Sequence, residues 1–181
     1  MIDLLLIVAA QVSAVANPSI RPCVPVPAHK SHRLPSGIRD HRMLREALGE
    51  PIPSDTSMIM LYGVGGHHVT TEYSIIVVRA PDGAWRGTAV GRNQIWTAGA
   101  PYTPMTRAEW LLSTDAGRQL DQAISHRCKS NDPTTAAQRQ SGAPPIGTIS
   151  ERIDIVQGKR ITTFYADPVS EAISALIRPP R

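Results

Sequence analysis

The sequence predicts one α+β domain, in which an antiparallel sheet packs with two helices on one face. Five apolar or β-branched segments are separated by glycine-containing turn signals, and two later segments show helical spacing of apolar residues. The length of 181 residues fits one domain with tails rather than two domains. A hydrophobic content of 41% and a charged content of 19% exclude a disordered chain.

The predicted sheet begins with a three-stranded meander. Residues 58–62 form an apolar run that ends at glycines, and residues 73–78 are apolar or β-branched at almost every position, as is typical of a central strand. Pro81-Asp82-Gly83 predicts a hairpin turn, because Asp and Gly tolerate the backbone conformations that such turns need. The return strand is expected at residues 85–90.

The main helix is expected to begin at Thr106-Arg107-Ala108-Glu109. This segment matches a capping box, in which the Thr side chain accepts from a backbone N–H and the Glu side chain reaches back. Apolar residues spaced by four predict the buried stripe of this helix, namely Leu112, Ala116, Leu120 and Ile124. Residues 129–148 are rich in Pro, Ser, Thr, Gln and Gly and predict a long mobile connection.

A second hairpin and a final helix complete the predicted domain. Strands at 153–156 and 160–165 are expected around Gln157-Gly158. Apolar residues on one side of residues 169–177 predict the helix. The resulting sheet is a three-stranded meander plus a hairpin.

The first residues are typical of an export signal. Residues 4–10 form an apolar run too short for a membrane anchor, and Ala14-Val15-Ala16 supplies small residues at the cleavage position. The segment before the run holds Asp3 and no Lys or Arg, which departs from the usual pattern. We expect a signal peptide over residues 1–16 and a periplasmic or secreted protein; a buried apolar helix or strand is the alternative.

Between the leader and the domain at 58–178, residues 17–57 predict a proline-rich basic arm with a short helix over about 37–48. The formal charge of the chain is +4, and loss of Asp3 with the leader would raise it by one, to +5. This charge favours an envelope protein or an anionic surface as partner. Export excludes nucleic acid as the expected partner, and no later segment is apolar enough to make the cleaved chain an integral membrane protein.

The chain has two cysteines, and an oxidising compartment predicts one internal disulfide between Cys23 and Cys128. The bridge would close a loop of about a hundred residues, with a stabilisation of some 4–5 kcal/mol in the chain-entropy description. Two free thiols and a bridge between chains are the alternatives.

Adjacent histidines, His67 and His68, follow Gly65-Gly66 and could hold a metal ion or a ligand. A structural zinc site needs about four ligands, and the paired patterns typical of such sites are absent from the sequence, so no metal or cofactor is predicted. A nucleophile elbow and a phosphate-binding loop are absent as well. The sequence therefore favours a non-catalytic protein; a small periplasmic enzyme using His67 or His68 with a carboxylate is the alternative.

The segment 91–105 is expected to be a long loop that carries Arg92, Trp96 and Tyr102. These three residue types dominate the energetics of protein interfaces. Together with the loop at 63–72, this segment is the predicted binding surface. In the alternative interpretation, Trp96 folds back over the open face of the sheet and completes a core poor in aromatic residues.

The order of elements, with Gly65-Gly66 after the first strand and the Asp82-Gly83 hairpin, resembles that of small bacterial metalloprotease inhibitors of the emfourin type, and also that of uncharacterised secreted bacterial domains. The resemblance covers the layout of residues 58–178, and no inhibitory residue is carried over, because the leader, the basic arm and the cysteine pair depart from it. It implies an inhibitor of an extracytoplasmic hydrolase. An envelope-associated structural protein recruited by charge is a further alternative.

Overall fold

A computed structural model describes residues 36–54, 57–129, 147–158, 160–165 and 168–180. This part of the chain forms one antiparallel sheet together with helices α1 (Ser36–Ala47), α2 (Thr114–Lys129) and α3 (Pro168–Ile177). The strands are β1 (Ser57–Gly65), β2 (Val69–Arg79), β3 (Trp85–Ile95), β4 (Thr103–Pro104), β5 (Ala108–Leu111), β6 (Ile149–Gln157) and β7 (Arg160–Tyr165). The predicted α+β class with an antiparallel sheet is confirmed.

The meander and the second hairpin belong to the same sheet because β1 pairs with both β2 and β6. The strand order is β4-β3-β2-β1-β6-β7, and β5 pairs with β3 as well. Met60 therefore lies between Ile76 on one side and Asp154 on the other. The two predicted hairpin turns are present, with Gly83 and Gly158 at φ values of 83° and 61°. Glycine adopts these values without the steric cost that a Cβ would add.

Both predicted binding loops are shorter than expected, because the strands continue into them. β1 runs through Gly65 and β2 begins at Val69, which leaves residues 66–68 as the connection. Likewise β3 continues to Ile95, so that residues 96–102 connect it to β4. At Gly66, with φ of 125°, a Cβ would overlap the carbonyl oxygen of Val69, so this tight connection requires glycine.

The predicted start of the main helix at Thr106–Glu109 is wrong. Residues Ala108–Leu111 form β5, and the helix begins at Thr114. Ser113 caps it instead, since its Oγ accepts a hydrogen bond from the backbone N–H of Ala116 at 3.2 Å. Glu109 pairs with Arg107 rather than with a helix N-terminus. A capping-box pattern is local, whereas pairing with the exposed edge of β3 is not visible in the sequence.

Alternate residues of β1 enter two separate apolar clusters, because successive side chains of a strand point to opposite faces. Ile59 and Leu61 belong to a cluster that also contains residues of α2 and α3. Met58 and Met60 belong to a second cluster, against which Ile38 of α1 packs. Of the predicted stripe, Leu120 and Ile124 of α2 belong to the first cluster and Ala116 packs against it, whereas Leu112 belongs to the cluster but precedes the helix.

Several of the sequence predictions fall outside this part of the chain. The predicted signal peptide of residues 1–16 and Cys23 lie outside the described residues, as do residues 130–146 of the predicted connection. Cys128 lies in α2, but its side chain is outside the description, so the disulfide stays a prediction. Within the described residues, we find no helix with the length and apolar character needed to cross a bilayer.

Aromatic rings lie directly over glycines on the face of the sheet that carries the first cluster. A Cβ at Gly87 would overlap the ring of Trp110, its cross-strand neighbour in β5. In the same way, a Cβ at Gly63 would overlap the ring of Tyr73. Each ring therefore covers a glycine that leaves room for it.

We expect Gly87→Ala to lower the free energy of unfolding by about 1–3 kcal/mol, because the new methyl group displaces the ring of Trp110. Urea denaturation of Gly87→Ala, Trp110→Ala and the double variant forms a double-mutant cycle. Gly87→Ala should lower the free energy of unfolding much less when Trp110 has already been replaced by alanine. An equal loss of stability from Gly87→Ala in the wild type and in Trp110→Ala would contradict the overlap between the new methyl group and the indole ring.

Candidate functional site

Three segments of the chain meet at one end of the sheet: the connection 66–68, the connection 96–102 and the start of β6. The register places Gly65 opposite Ile149 and Val69 opposite Ile95. The two connections lie side by side, since the backbone N–H of Trp96 donates to the carbonyl of His68 at 2.9 Å. All five residues predicted as binding residues lie on or next to these segments, namely His67, His68, Arg92, Trp96 and Tyr102.

This end of the sheet carries most of the exposed large apolar side chains. Among the residues whose burial is described, nine such side chains are exposed, and two of them, Met43 and Leu111, lie elsewhere. The other seven are Val64, Val69, Ile95, Trp96, Tyr102, Met105 and Ile149, and we call them the sheet-end patch. They lie at the same end of the sheet but on both of its faces: Val69, Ile95 and Ile149 share the face of the first cluster, and Val64 lies on the face of the second.

Trp96 is the most exposed member of the sheet-end patch, at 80% of its surface, and the preceding Ile95 is 63% exposed. The alternative in which Trp96 folds back over the sheet is therefore wrong. The space on the sheet is already occupied, because Met105 covers Gly91 and Trp110 covers Gly87.

Tyr102 is held in place by a chain of contacts that leads back into the sheet. The guanidinium carbon of Arg92 lies 3.8 Å from the ring centroid of Tyr102. Arg92 Nε donates to Glu72 Oε2 at 2.7 Å, and the hydroxyl of Tyr62 donates to Glu72 Oε1 at 2.5 Å. Burial, followed by the hydrogen bond to Glu72, raises the pKa of Tyr62, so this hydroxyl remains a donor. Glu72 thus neutralises Arg92 and positions it under Tyr102.

The connection 96–102 is tied by its own hydrogen bonds. The backbone N–H of Ala100 donates to the carbonyl of Thr97 at 3.0 Å, and Gln94 Nε2 donates to the carbonyl of Ala100 at 2.8 Å. Gly99 has a φ of 76°, which favours glycine at this turn. These contacts hold the backbone that presents Trp96.

His67 and His68 lie on the exposed connection 66–68, with their ring centroids 4.2 Å apart in an edge-on arrangement. Within the described ranges, no three His, Cys, Asp or Glu side chains lie close enough together to hold a metal ion. His29, His32 and the side chain of His126 lie outside the described residues.

A buried polar cluster under α1 was missed by sequence reasoning. His41 Nδ1 lies 2.7 Å from Ser74 Oγ, and His41 Nε2 lies 3.7 Å from Asp154 Oδ2. All three residues are fully buried. Arg45 adds hydrogen bonds to the Glu50 carbonyl at 3.0 Å and the Ser74 carbonyl at 3.4 Å. The cluster joins α1 to β2 and β6.

Two opposing effects set the ionisation of this cluster. Burial lowers the pKa of His41, and this outweighs the attraction of Asp154, so the imidazole is neutral. Burial opposes the charge of Asp154, but contacts with His41, Thr163 and Arg152 outweigh it and lower the pKa of the carboxyl group. Since the carboxylate is charged, we place the proton of His41 on Nε2, and Nδ1 accepts from the Ser74 hydroxyl.

An open cavity of about 290 Å³ lies beside the same helix. Its floor is apolar and formed by Met58, Met60 and Val156, while Arg42 and Glu46 of α1 stand at its rim. A ligand site of this size normally combines an apolar wall with a few convergent polar groups. The two rim charges lie one helical turn apart on an exposed face of the helix.

The structure places the predicted Arg92, Trp96 and Tyr102 at this end of the sheet, and the residues around them were not predicted as part of the site. Val69 and Ile95 lay within the predicted binding loops at 63–72 and 91–105 but were not named as binding residues, and neither Ile149 nor Glu72 was predicted as a site residue. The apolar residues next to each predicted turn were the sequence signal that could have identified these additional site residues.

No protein-family model matches the sequence, and no curated protein and no solved structure matches the chain. The resemblance to emfourin-type inhibitors therefore remains an expectation that rests on the layout of elements.

We expect the free energy of unfolding to decrease as the pH is lowered from about 7 to about 5. Burial lowers the pKa of His41 in the folded state. As the pH falls below the ordinary pKa of 6.5, His41 is therefore protonated in the unfolded chain before it is protonated in the folded protein, and this favours unfolding. One such proton contributes a slope of at most about 1.4 kcal/mol per pH unit. Urea unfolding at several pH values should show that the free energy of unfolding changes less with pH in His41→Gln than in the wild type.

The matched control is His67→Gln on the exposed connection, which should keep the slope of the wild type. The charged neighbours of His41, including Asp154, Arg45 and Arg152, are unchanged in both variants. Identical slopes for the two variants would show that His41 does not carry the pH dependence.

Proposed function

We propose that the chain is a non-catalytic binding protein whose contact surface is the sheet-end patch. The observation that carries this proposal is the gathering of seven of the nine exposed large apolar side chains at one end of the sheet. Large exposed apolar patches on soluble domains are typical of interaction sites. The same end presents Trp, Tyr and Arg, the residue types that contribute most to binding energy at interfaces.

Preorganisation of the surface supports the same proposal. The Glu72 contacts fix Arg92 beneath Tyr102, and backbone hydrogen bonds tie the connection that carries Trp96. A surface that is already ordered loses less conformational entropy when a partner binds.

A non-catalytic role is supported by the position of the polar groups. Ser74, His41 and Asp154 have the composition of a catalytic triad, but all three are fully buried, and a substrate has no access to them. His67 and His68 are exposed on the connection 66–68. An enzyme built on these histidines would need a converging carboxylate, and none contacts them among the described residues.

The placement of the helices on the sheet decides which part of the sheet a partner can reach. We infer that α2 and α3 cover one face of the sheet and that α1 covers the opposite face, because the helices join different apolar clusters. With both faces covered in this way, the strand ends and their connections are the accessible part of the sheet.

We further propose that the protein works outside the inner membrane, after removal of residues 1–16, and that an extracytoplasmic hydrolase is a fitting partner class. This rests on the apolar run and small residues of the N-terminus and on the layout resemblance. The envelope-associated structural protein and the His67/His68 enzyme remain alternatives from the sequence, and no contact among the described residues favours either.

Mass spectrometry of the protein from its native compartment should find Asn17 at the N-terminus and Cys23 linked to Cys128. Export exposes both thiols to an oxidising environment, and the sequence holds no other cysteine with which they could pair internally. An intact Met1 together with two free thiols would place the protein in a reducing compartment and remove the proposed location.

Trp96→Ala should reduce recovery of a specific partner from envelope extract by about thirtyfold or more, as expected when an exposed aromatic anchor worth roughly 2 kcal/mol is lost. The matched control is Leu111→Ala, which removes an exposed apolar side chain outside the sheet-end patch. Equal recovery by the wild type and Trp96→Ala would remove the sheet-end patch from the proposed function.

A further inference from the structure

We propose that the segment Val24-Pro25-Val26-Pro27 of the proline-rich arm docks into the open cavity beside α1 of its own chain. We call this cavity of about 290 Å³ the α1 groove. No residue that lines it belongs to the sheet-end patch, so the inference is independent of the proposed function.

The α1 groove has the size and the lining of a site for a few small apolar side chains. Its volume lies at the lower limit of small-molecule pockets, about 300 Å³. Two methionines form part of its floor, and methionine side chains adapt to irregular apolar neighbours. Its apolar walls come from the first turn of α1 and from the connection between α1 and β1, namely Ile38, Pro51, Ile52 and Pro53.

The undescribed arm joins the fold at one end of this groove. The helix α1 begins at Ser36, and Ile38 in its first turn lines the groove. Arg42 and Glu46 follow at intervals of four residues, so the groove runs along α1 away from the arm. The eight residues 28–35 can span up to about 26 Å, which is enough to lead the preceding segment back over the groove.

The tether itself favours docking. A segment joined to its site by a short linker has an effective concentration in the millimolar range, when the linker can span the distance. A contact that would be too weak between separate molecules can therefore be occupied within one chain. This reason favours the arm over a second copy or a separate peptide as the occupant.

The composition of the arm selects the docking segment. Between residues 17 and 35, the longest uncharged apolar run is 23–28, and Val24-Pro25-Val26-Pro27 is its centre. Prolines favour an extended helix with a rise of about 3.1 Å per residue, so four residues span about 12 Å. The groove from Ile38 to Glu46 follows eight residues of α-helix, which is also about 12 Å. Proline-rich segments bind apolar grooves because little conformational freedom is lost.

The position of the groove agrees with the predicted disulfide. Met58 and Val156 line the α1 groove and also a cavity of about 40 Å³ beside Ile124 of α2. Cys128 follows Ile124 by one helical turn. A segment docked in the groove therefore brings Cys23 toward the helix that carries its predicted partner.

Disulfide trapping in the full chain tests the proposal, because Cys23 adjoins the docking segment. Cys128→Ser leaves Cys23 as the single native thiol, and a second thiol is introduced by Arg42→Cys or Glu46→Cys at the groove rim. Met43→Cys is the matched control, since it is 59% exposed on the same helix but does not line the groove. In a glutathione redox buffer, one of the two rim positions should pair with Cys23 at an effective concentration at least about tenfold above that of the control, because a disulfide requires Cα atoms about 4.4–6.8 Å apart.

A second variant separates docking from mere tethering. Val24→Asp together with Val26→Asp should abolish the preference for the rim positions, because a carboxylate does not enter an apolar groove without a partner. Equal trapping at all three positions, or a preference that survives both aspartates, would overturn the proposal. Mixing isotope-labelled and unlabelled chains shows whether the disulfide forms within one chain. Trapping between chains would assign the groove to the arm of a second copy and overturn it as well.

Discussion

The central position of β1 is the constraint on which the rest of this structure depends. Its backbone is paired on both sides, with β2 and with β6, and its side chains are buried on both faces from Met58 to Tyr62. A strand of this kind has one acceptable register, because a shift by one residue would exchange the two apolar clusters. That register also sets where the neighbouring strands end, and so brings the connection 66–68 next to the start of β6.

The buried polar cluster under α1 is the second determinant of the architecture. A helix that packed only through Ile38 and Leu44 could slide over the methionine-rich face of the sheet, since Met side chains adapt to many neighbours. His41 lies between Ser74 Oγ, 2.7 Å from its Nδ1, and Asp154 Oδ2, 3.7 Å from its Nε2, and these polar contacts favour one position of the helix. Tyr62 contacts both His41 and Glu72, so the helix and the exposed site share one network.

The candidate site is formed by strand ends rather than by a cleft, and this decides what kind of chemistry it supports. Its exposed large side chains are apolar apart from His67 and His68, and Arg92 is paired with Glu72. We propose this surface for association with a partner. The groups that resemble catalytic machinery, Ser74, His41 and Asp154, lie buried in the interior. Buried titratable groups of this kind make stability depend on pH without taking part in a reaction.

Local sequence patterns determined the strands of both hairpins, the turns at Gly83 and Gly158, the final helix and the aromatic residues of the site, because each depends on neighbours a few positions away. Only the tertiary structure decided the fate of Thr106–Glu109, which pairs with an open strand edge instead of beginning a helix. It alone brought together His41, Ser74 and Asp154. These contacts join residues distant in the chain, and their partners follow from strand register and helix docking, which no local pattern encodes.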